Sequence, residues 1–219
     1  MKQSALLILA ATLLLVSCNN SSDNKSTNSD STGTNKSEVK KDEAWVPIDS
    51  TTMMNAMTDY AKVGKMQEML ASWSGTWNTE STIWMSEGDA PVKSTGTAVN
   101  SMILGGRYQT SKNTSNMMGM PFEGISTVGY DNAAKQFIST WIDNMGTGIM
   151  IMKGPWDEAT KTMTLSGTMT DICRPGKECH FKEVFTVVDD NTQKMVMWGP
   201  DPKTGKEFKT MELTFTRKK

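Results

Sequence analysis

Thr162-Met163-Thr164-Leu165-Ser166-Gly167-Thr168-Met169-Thr170 sets the fold class. Met163, Leu165, Gly167 and Met169 share one parity, and Thr162, Thr164, Ser166, Thr168 and Thr170 the other. Successive side chains of an extended chain point to opposite faces, so this period of two describes a strand with one apolar face. The same period recurs elsewhere. Trp77, Thr79, Ser81, Ile83 and Met85 alternate with Asn78, Glu80, Thr82 and Trp84. Phe122, Ser126, Val128 and Tyr130 alternate with Glu123, Ile125 and Thr127, and Met211, Leu213 and Phe215 with Thr210, Glu212, Thr214 and Thr216. Turn signals such as Leu104-Gly105-Gly106, Gly119-Met120-Pro121 and Asp201-Pro202-Lys203-Thr204-Gly205 separate these runs. About nine or ten strands joined by short turns, with no helical pattern between them, predict an antiparallel meander. A sheet of that length curls closed to remove its edges. The expectation is an all-β domain, an antiparallel up-and-down β-barrel, with a two-sheet sandwich as the alternative. The outward positions carry Thr, Lys and Glu, which excludes the apolar belt of an outer-membrane barrel.

Ahead of the strands, Met53, Met57 and Tyr60, then Met66, Met69, Leu70 and Trp73, recur at helical spacing, with Gly64 dividing them. This short N-terminal helical region is expected to pack its apolar face on the core. Its polar face lacks the basic band of a membrane-lying helix.

The chain begins with a different chemistry. Lys2 precedes an apolar run from Ala5 to Val16, which ends in Leu15-Val16-Ser17-Cys18. A basic start, an apolar stretch too short to span a bilayer, and a small residue before a cysteine resemble a bacterial lipoprotein leader. Residues 1–17 are then a signal peptide, and Cys18 is the first mature residue and the lipidation site. Several acyl chains on that residue would hold the protein on a membrane, its one expected macroscopic partner, at the periplasmic face or outer surface of a bacterial cell envelope. Residues 18–48 form the acylated cysteine and a tether. Asn19 to Lys41 contains a single apolar residue, Val39, and buries too little to offset the entropy of ordering. Such a tether spans roughly 30 Å. Residues 49–219 form the folded helix-plus-barrel domain.

Of the 23 Lys and Arg against 24 Asp and Glu, Lys2 leaves with the leader, so the mature chain is slightly acidic. No basic stripe points to nucleic acid and no polybasic cluster to anionic lipid. Cys173 and Cys179 flank Arg174-Pro175-Gly176-Lys177-Glu178. In an exported protein, two cysteines either side of a tight turn are expected to form a disulfide.

Between Gly64 and Arg217 lie Leu70-x-x-Trp73-x-Gly75-x-Trp77, Gly96, Leu104-Gly105-Gly106-Arg107-Tyr108, Gly119-Met120-Pro121-Phe122-Glu123-Gly124, Gly129-Tyr130-Asp131 and Trp141-Ile142-Asp143-Asn144. In these motifs the chain resembles domain-of-unknown-function family number 1579, a group of calycin-like barrels. Gly64-Lys65-Met66-Gln67-Glu68 departs from it, lacking the histidine the family often has there. The resemblance implies a calycin-like β-barrel and no reaction. Gly75-x-Trp77 is also similar to the Gly-x-Trp of the first lipocalin strand, whose tryptophan plugs the closed end under a late-strand arginine. Arg217 or Arg107 would fill that role by stacking on the indole.

The candidate ligand-lining residues are Trp77, Arg107, Tyr108, Trp141, Met150 and Met152. Trp77 is either a plug or a ligand contact. Arg107 beside Tyr108 either stacks on a tryptophan or holds an anionic head group. Trp141 shares a face with Phe137, Ser139 and Asp143. No Gly-x-Ser-x-Gly, His-Glu-x-x-His or phosphate loop is present, so no enzymatic activity and no cofactor are read from the sequence. The single histidine, His180, is a weak haem ligand candidate. Met117, Met118, Met120, Met150 and Met152, among 19 methionines, are soft donors that would suit Cu(I), but methionine also fills cores and adaptable apolar pockets. The expectation is an exported barrel that binds a small, largely apolar molecule. The alternative is a non-catalytic envelope module whose barrel is filled by Trp77, Phe122, Phe185 and Phe215.

Overall fold

The computed structural model describes residues 45–219; Cys18, the leader and most of the tether lie outside the described residues. Two helices open the domain, α1 (Ser50–Tyr60) and α2 (Lys65–Ser72). Asp49 caps α1 by accepting from the Thr51 and Thr52 N–H groups. Gly64 starts α2, and its N–H donates to the Gln67 side chain at 2.9 Å. The strands follow: β1 (Gly75–Ile83), β2 (Val92–Ile103), β3 (Tyr108–Met117), β4 (Met120–Asp131), β5 (Gln136–Asp143), β6 (Met150–Gly154), β7 (Trp156–Asp157), β8 (Thr162–Thr170), β9 (Glu178–Asp189), β10 (Thr192–Pro200) and β11 (Glu207–Arg217).

Every pairing is antiparallel. β1 to β6 pair in sequence order, β6 pairs with β8, β8 to β11 continue, and β11 returns to β1. Ten strands therefore close into an up-and-down barrel, and β7 is a two-residue strand attached to β8 alone. The expected barrel forms, and the sandwich does not.

The core lies at one end of the barrel. Trp77, Ala98, Phe137, Leu165 and Leu70 are fully buried, and Trp73, Met152 and Met163 nearly so. Trp73 packs on Phe185 at 5.2 Å between ring centroids, Phe185 on Phe215 at 6.0 Å, and Tyr130 on Phe137 at 5.0 Å. These rings make a floor, and α2 plugs it with Leu70. The exposed carbonyls at the C-terminal end of a helix need donors. Here the barrel supplies them. Gln109 donates to the Leu70 carbonyl, and Trp77 Nε1 to Trp73 at 2.9 Å. Asn100 also donates to Trp73, while Arg217 donates to Ser72 at 2.9 Å and to Ser74 at 2.8 Å.

The Arg217 guanidinium lies 4.3 Å from the centroid of the Trp77 ring. It is the late-strand arginine that the Gly-x-Trp pattern calls for, and Arg107 is not. Helix α1 differs from expectation. Met53, Met57 and Tyr60 stay more than half exposed, and no α1 residue is buried. The hydrogen bonds that tie this region to the barrel run to backbone carbonyls at its end: Asn132 reaches Tyr60 and Lys62, and Arg107 reaches Ala61. The methionine face is left without a packing partner among the described residues.

Trp77→Ala is expected to cost about 3–5 kcal/mol in urea unfolding, as for other large-to-small core changes. Arg217→Lys, which keeps the charge but loses the planar fork, is expected to cost about 1–3 kcal/mol. An Arg217→Lys protein as stable as the wild type would show that the helix end does not depend on this cap.

Candidate functional site

Alternation along each strand divides the inward positions into two sets. On β1 to β5 they include Ser81, Ser94, Ser111, Asn113, Ser126 and Ser139, with Gly96 and Gly124 between them. Cross-strand pairing confirms the shared face: Ser81 stands opposite Ser94, Ser111 opposite Ser126, and Val128 opposite Ser139. On β8 to β11 the inward set is Met163, Leu165, Phe181, Phe185, Met195, Met197 and Leu213, again in register. One wall carries hydroxyls and amides, and the other carries thioethers, aliphatics and aromatics.

The interior is not filled along its length. Phe137 and Leu165 at the floor are fully buried. Ser111, Asn113, Ser126, Ser139, Met197 and Leu213, further along the same inward faces, are only half-buried. Because they point inward, the surface they keep belongs to a lumen. Eight strands make a barrel about wide enough for side chains to fill, and ten strands make a wider one. Small inward residues widen it again. Of the four aromatics expected to fill the interior, Trp77, Phe185 and Phe215 belong to the floor, while Phe122 sits toward the opposite end, stacked on Trp141 at 6.2 Å.

Glu183 is the outlier of this lumen. It stands midway along β9 on the parity of Phe181, Phe185 and Val187, between Leu165 on β8 and Met197 on β10. Burial alone pushes its carboxyl from the ordinary 4.5 up to about 7. No ion pair engages it among the described residues. In the ring of ten, β3 lies five strands from β9 in either direction, so Ser111 and Asn113 belong to the wall across from Glu183.

The open end is held by Asp201. Its buried carboxylate accepts from the Ser86 hydroxyl and the Glu87 N–H, both at 2.7 Å, and from the Lys203 and Thr204 N–H groups. These donors, led by the Glu87 N–H, hold its pKa far below the usual carboxylate range. The contact ties the β1–β2 loop to the β10–β11 turn. The sequence marks Asp201 only as a turn residue; Ser86 and Glu87, which it ties to that turn, lie more than a hundred positions away.

The six candidate residues separate. Trp141 and Met150 face the lumen, while Met152 shares their inward face but is buried in the floor packing; Gly124 leaves room for the Trp141 ring, and Trp141 Nε1 donates to Asp143 at 2.7 Å. Trp77 is the buried floor plug. Arg107 and Tyr108 lie outside the lumen. Leu104, Gly105 and Gly106 form a tight left-handed turn, and Arg107 folds back onto the Leu104 and Ala61 carbonyls. Tyr108 lies outward across Gly129.

Cys173 and Cys179 are free thiols, not the expected disulfide. Cys179 is engaged elsewhere: burial, with a hydrogen bond to Asp171, pushes its thiol pKa up. Cys179 lines a polar cleft of about 460 Å³ at the open rim, together with Asp171, Arg174 and His180. His180 is exposed there, away from the lumen. A smaller cleft of about 320 Å³ lies at the floor beside Trp73, Trp156 and Arg217. Met118 and Met120 are exposed at the β3–β4 hairpin tip, while Met150 and Met152 are inside on β6. Among the described residues no three His, Cys, Asp or Glu side chains converge as metal ligands.

A closed ten-stranded antiparallel barrel with a plugged floor and a partly polar lumen is thus the class of protein. The chain belongs to the family described as protein of unknown function (DUF1579), whose model matches residues 62–217. Among solved structures it is similar to Rv2717c from M. tuberculosis, with a TM-score of 0.54 and 9% identity over 72% of this chain and 100% of that one. At that identity the likeness shows the fold alone. No curated protein matches the sequence.

The raised Glu183 pKa fixes the sign of a pH effect. A carboxyl that stays protonated in the fold contributes stability that is fully present below its unfolded value of 4.5 and is lost as pH rises through about 7. Glu183→Gln keeps the shape without the ionisation. Relative to that variant, the wild type is expected to lose about 1–3 kcal/mol of urea-unfolding free energy across this window. A difference that stays flat with pH would contradict the half-buried, unpaired placement.

Proposed function

We propose that the barrel is a binding module for a small amphipathic molecule held in the lumen. The observation that carries this reading is the half-buried inward row of Ser111, Asn113, Ser126 and Ser139. A barrel that served only as a scaffold would gain by filling these positions with large apolar side chains, as the floor does, because each buried side chain adds stabilisation. Serine and asparagine give up that gain and leave polar groups facing open space. Against them stand Met197, Leu213 and Phe181, which suit a flexible apolar ligand body. The chemistry of such a site is recognition, with hydroxyls and amides orienting one edge of the ligand and thioethers covering the other.

The uncharged fluorophore N-phenyl-1-naphthylamine is the test probe. It is expected to bind with one-to-one stoichiometry and rising fluorescence. Ser111→Phe and Ser126→Phe, which fill the lumen, are expected to weaken binding at least about tenfold while the far-ultraviolet circular dichroism stays that of a β-barrel. Binding that ignores both substitutions would place the probe outside the lumen and sink the reading.

We further propose that the module works at a bacterial membrane, held through acylated Cys18 and a tether that ends at residue 48. The support is the leader pattern in the first eighteen residues. One acyl chain alone binds a membrane only marginally, so stable retention needs the additional chains such a cysteine receives. Cys18→Ala is expected to release the protein into the soluble fraction of cells that express the full chain. Unchanged membrane retention of that variant would refute the anchor.

A further inference from the structure

We infer that the lumen selects ligands with a cationic amine head group and discriminates against carboxylates, with Glu183 as the group that receives the amine. This rests on the reading of the lumen as a binding site and names its ligand class.

The argument starts from the charges that face inward. On the inward parity of the ten strands the titratable or charged side chains are Tyr130, Asp143, Cys179, Glu183 and Arg217. Four of them belong to one end of the barrel or the other. Tyr130 packs edge-on against Phe137 in the floor. Arg217 is spent on Trp77 and on the Ser72, Ser74 and Asp190 carbonyls. Asp143 accepts from Trp141 Nε1 and the Met145 N–H near the open rim. Cys179 engages Asp171. Glu183 alone stands midway. The inward neighbours on the strands to either side are Leu165 and Met197, and the wall across carries Ser111 and Asn113, none of which titrates.

An unpaired carboxyl in such a place is costly to ionise and has no counter-charge to offset the cost. A ligand that brings an ammonium supplies both the charge and the donors. The thioethers and aromatic faces nearby also accept a cation better than an anion, since the face of an aromatic ring is electron-rich. A carboxylate ligand meets the reverse: among the described residues no basic side chain in the middle of the lumen, and repulsion from Glu183 once that group ionises.

The proton balance follows. The ammonium pairs with the ionised carboxylate, so binding displaces the Glu183 proton to solvent. Affinity for an amine should therefore rise with pH up to about the carboxyl's folded value and level off above it. Below that value it should weaken about tenfold per pH unit. A neutral head group should show neither effect.

Octylamine, octanoate and octanol share one apolar body and differ in head group, and the amine stays protonated throughout the range used. Each is titrated as a competitor of N-phenyl-1-naphthylamine, at about one pH unit above and about one below the Glu183 value of about 7. At the higher pH octylamine should compete at least about tenfold better than octanoate and better than octanol, and its advantage should shrink at the lower pH. Glu183→Gln should remove both the preference and its pH dependence, while Glu123→Gln, on the outer face of β4, should leave them intact. Octanoate competing as well as octylamine, or a preference that survives Glu183→Gln, would overturn the inference. Competition by octanol without an advantage for the amine would overturn it alone and leave the lumen site standing. If N-phenyl-1-naphthylamine itself does not bind, both readings fall.

Discussion

Arg217 stands where three requirements of this barrel meet. It is the last residue of the last strand, and it pairs with Trp77 near the start of the first, so it lies on the seam that joins the two ends of the sheet. Its guanidinium covers the indole of Trp77, which would otherwise leave one face of the floor open. Its remaining donors cap carbonyls just past the end of α2, which fixes the plug helix to the seam. A planar group with five fixed donors can stack and cap at once, and a lysine cannot. Seam, floor and plug therefore depend on one side chain, and everything above the floor takes its place from them.

The lumen is the consequence of a floor that stops. Aromatic packing is dense around Trp73, Phe185 and Phe215, and it gives way to serines and asparagine on β1 to β5. Ten strands enclose more space than side chains of that size can occupy. On β8 to β11 the inward residues remain large and apolar, so the space is polar on one wall and greasy on the other. Glu183 interrupts the greasy wall. Its burial disfavours the charged form strongly enough to change the protonation state near neutral pH, and a fold that sought stability alone would have no reason to keep it there.

Much of this was legible along the chain, and the misses share a cause. The strands, their turns, the division of the helical region at Gly64 and the pairing of Gly-x-Trp with a late arginine all appear where the local pattern puts them. Met150 and Trp141, which the sequence marks as lining residues, face inward, and Met152 on the same face joins the floor. Arg107 and Tyr108 stand out by residue type, but the left-handed turn at Leu104 to Gly106 directs Arg107 back to nearby carbonyls. The spacing of Cys173 and Cys179 suggests a bridge, and the half-buried Cys179 thiol instead meets Asp171. The helical period of Met53 and Met57 predicts burial, yet periodicity marks a shared face and does not supply a surface to cover it. Glu183 left a readable trace, a carboxyl on the same parity as Phe181, Phe185 and Val187, which ordinary alternation would have made apolar.

Alternation, turn chemistry and the Gly-x-Trp pattern could be read from the chain alone because each is governed by the geometry of a few adjacent residues. Which serines share a wall, where the floor ends and why Glu183 has no counter-charge depend on register between strands far apart in sequence. Trp77 meets Arg217, and Ser86 meets Asp201, across more than a hundred intervening positions. Those meetings exist only once the ring of ten strands has closed, so the chemistry of the lumen belongs to the closed barrel and not to any one segment of the chain.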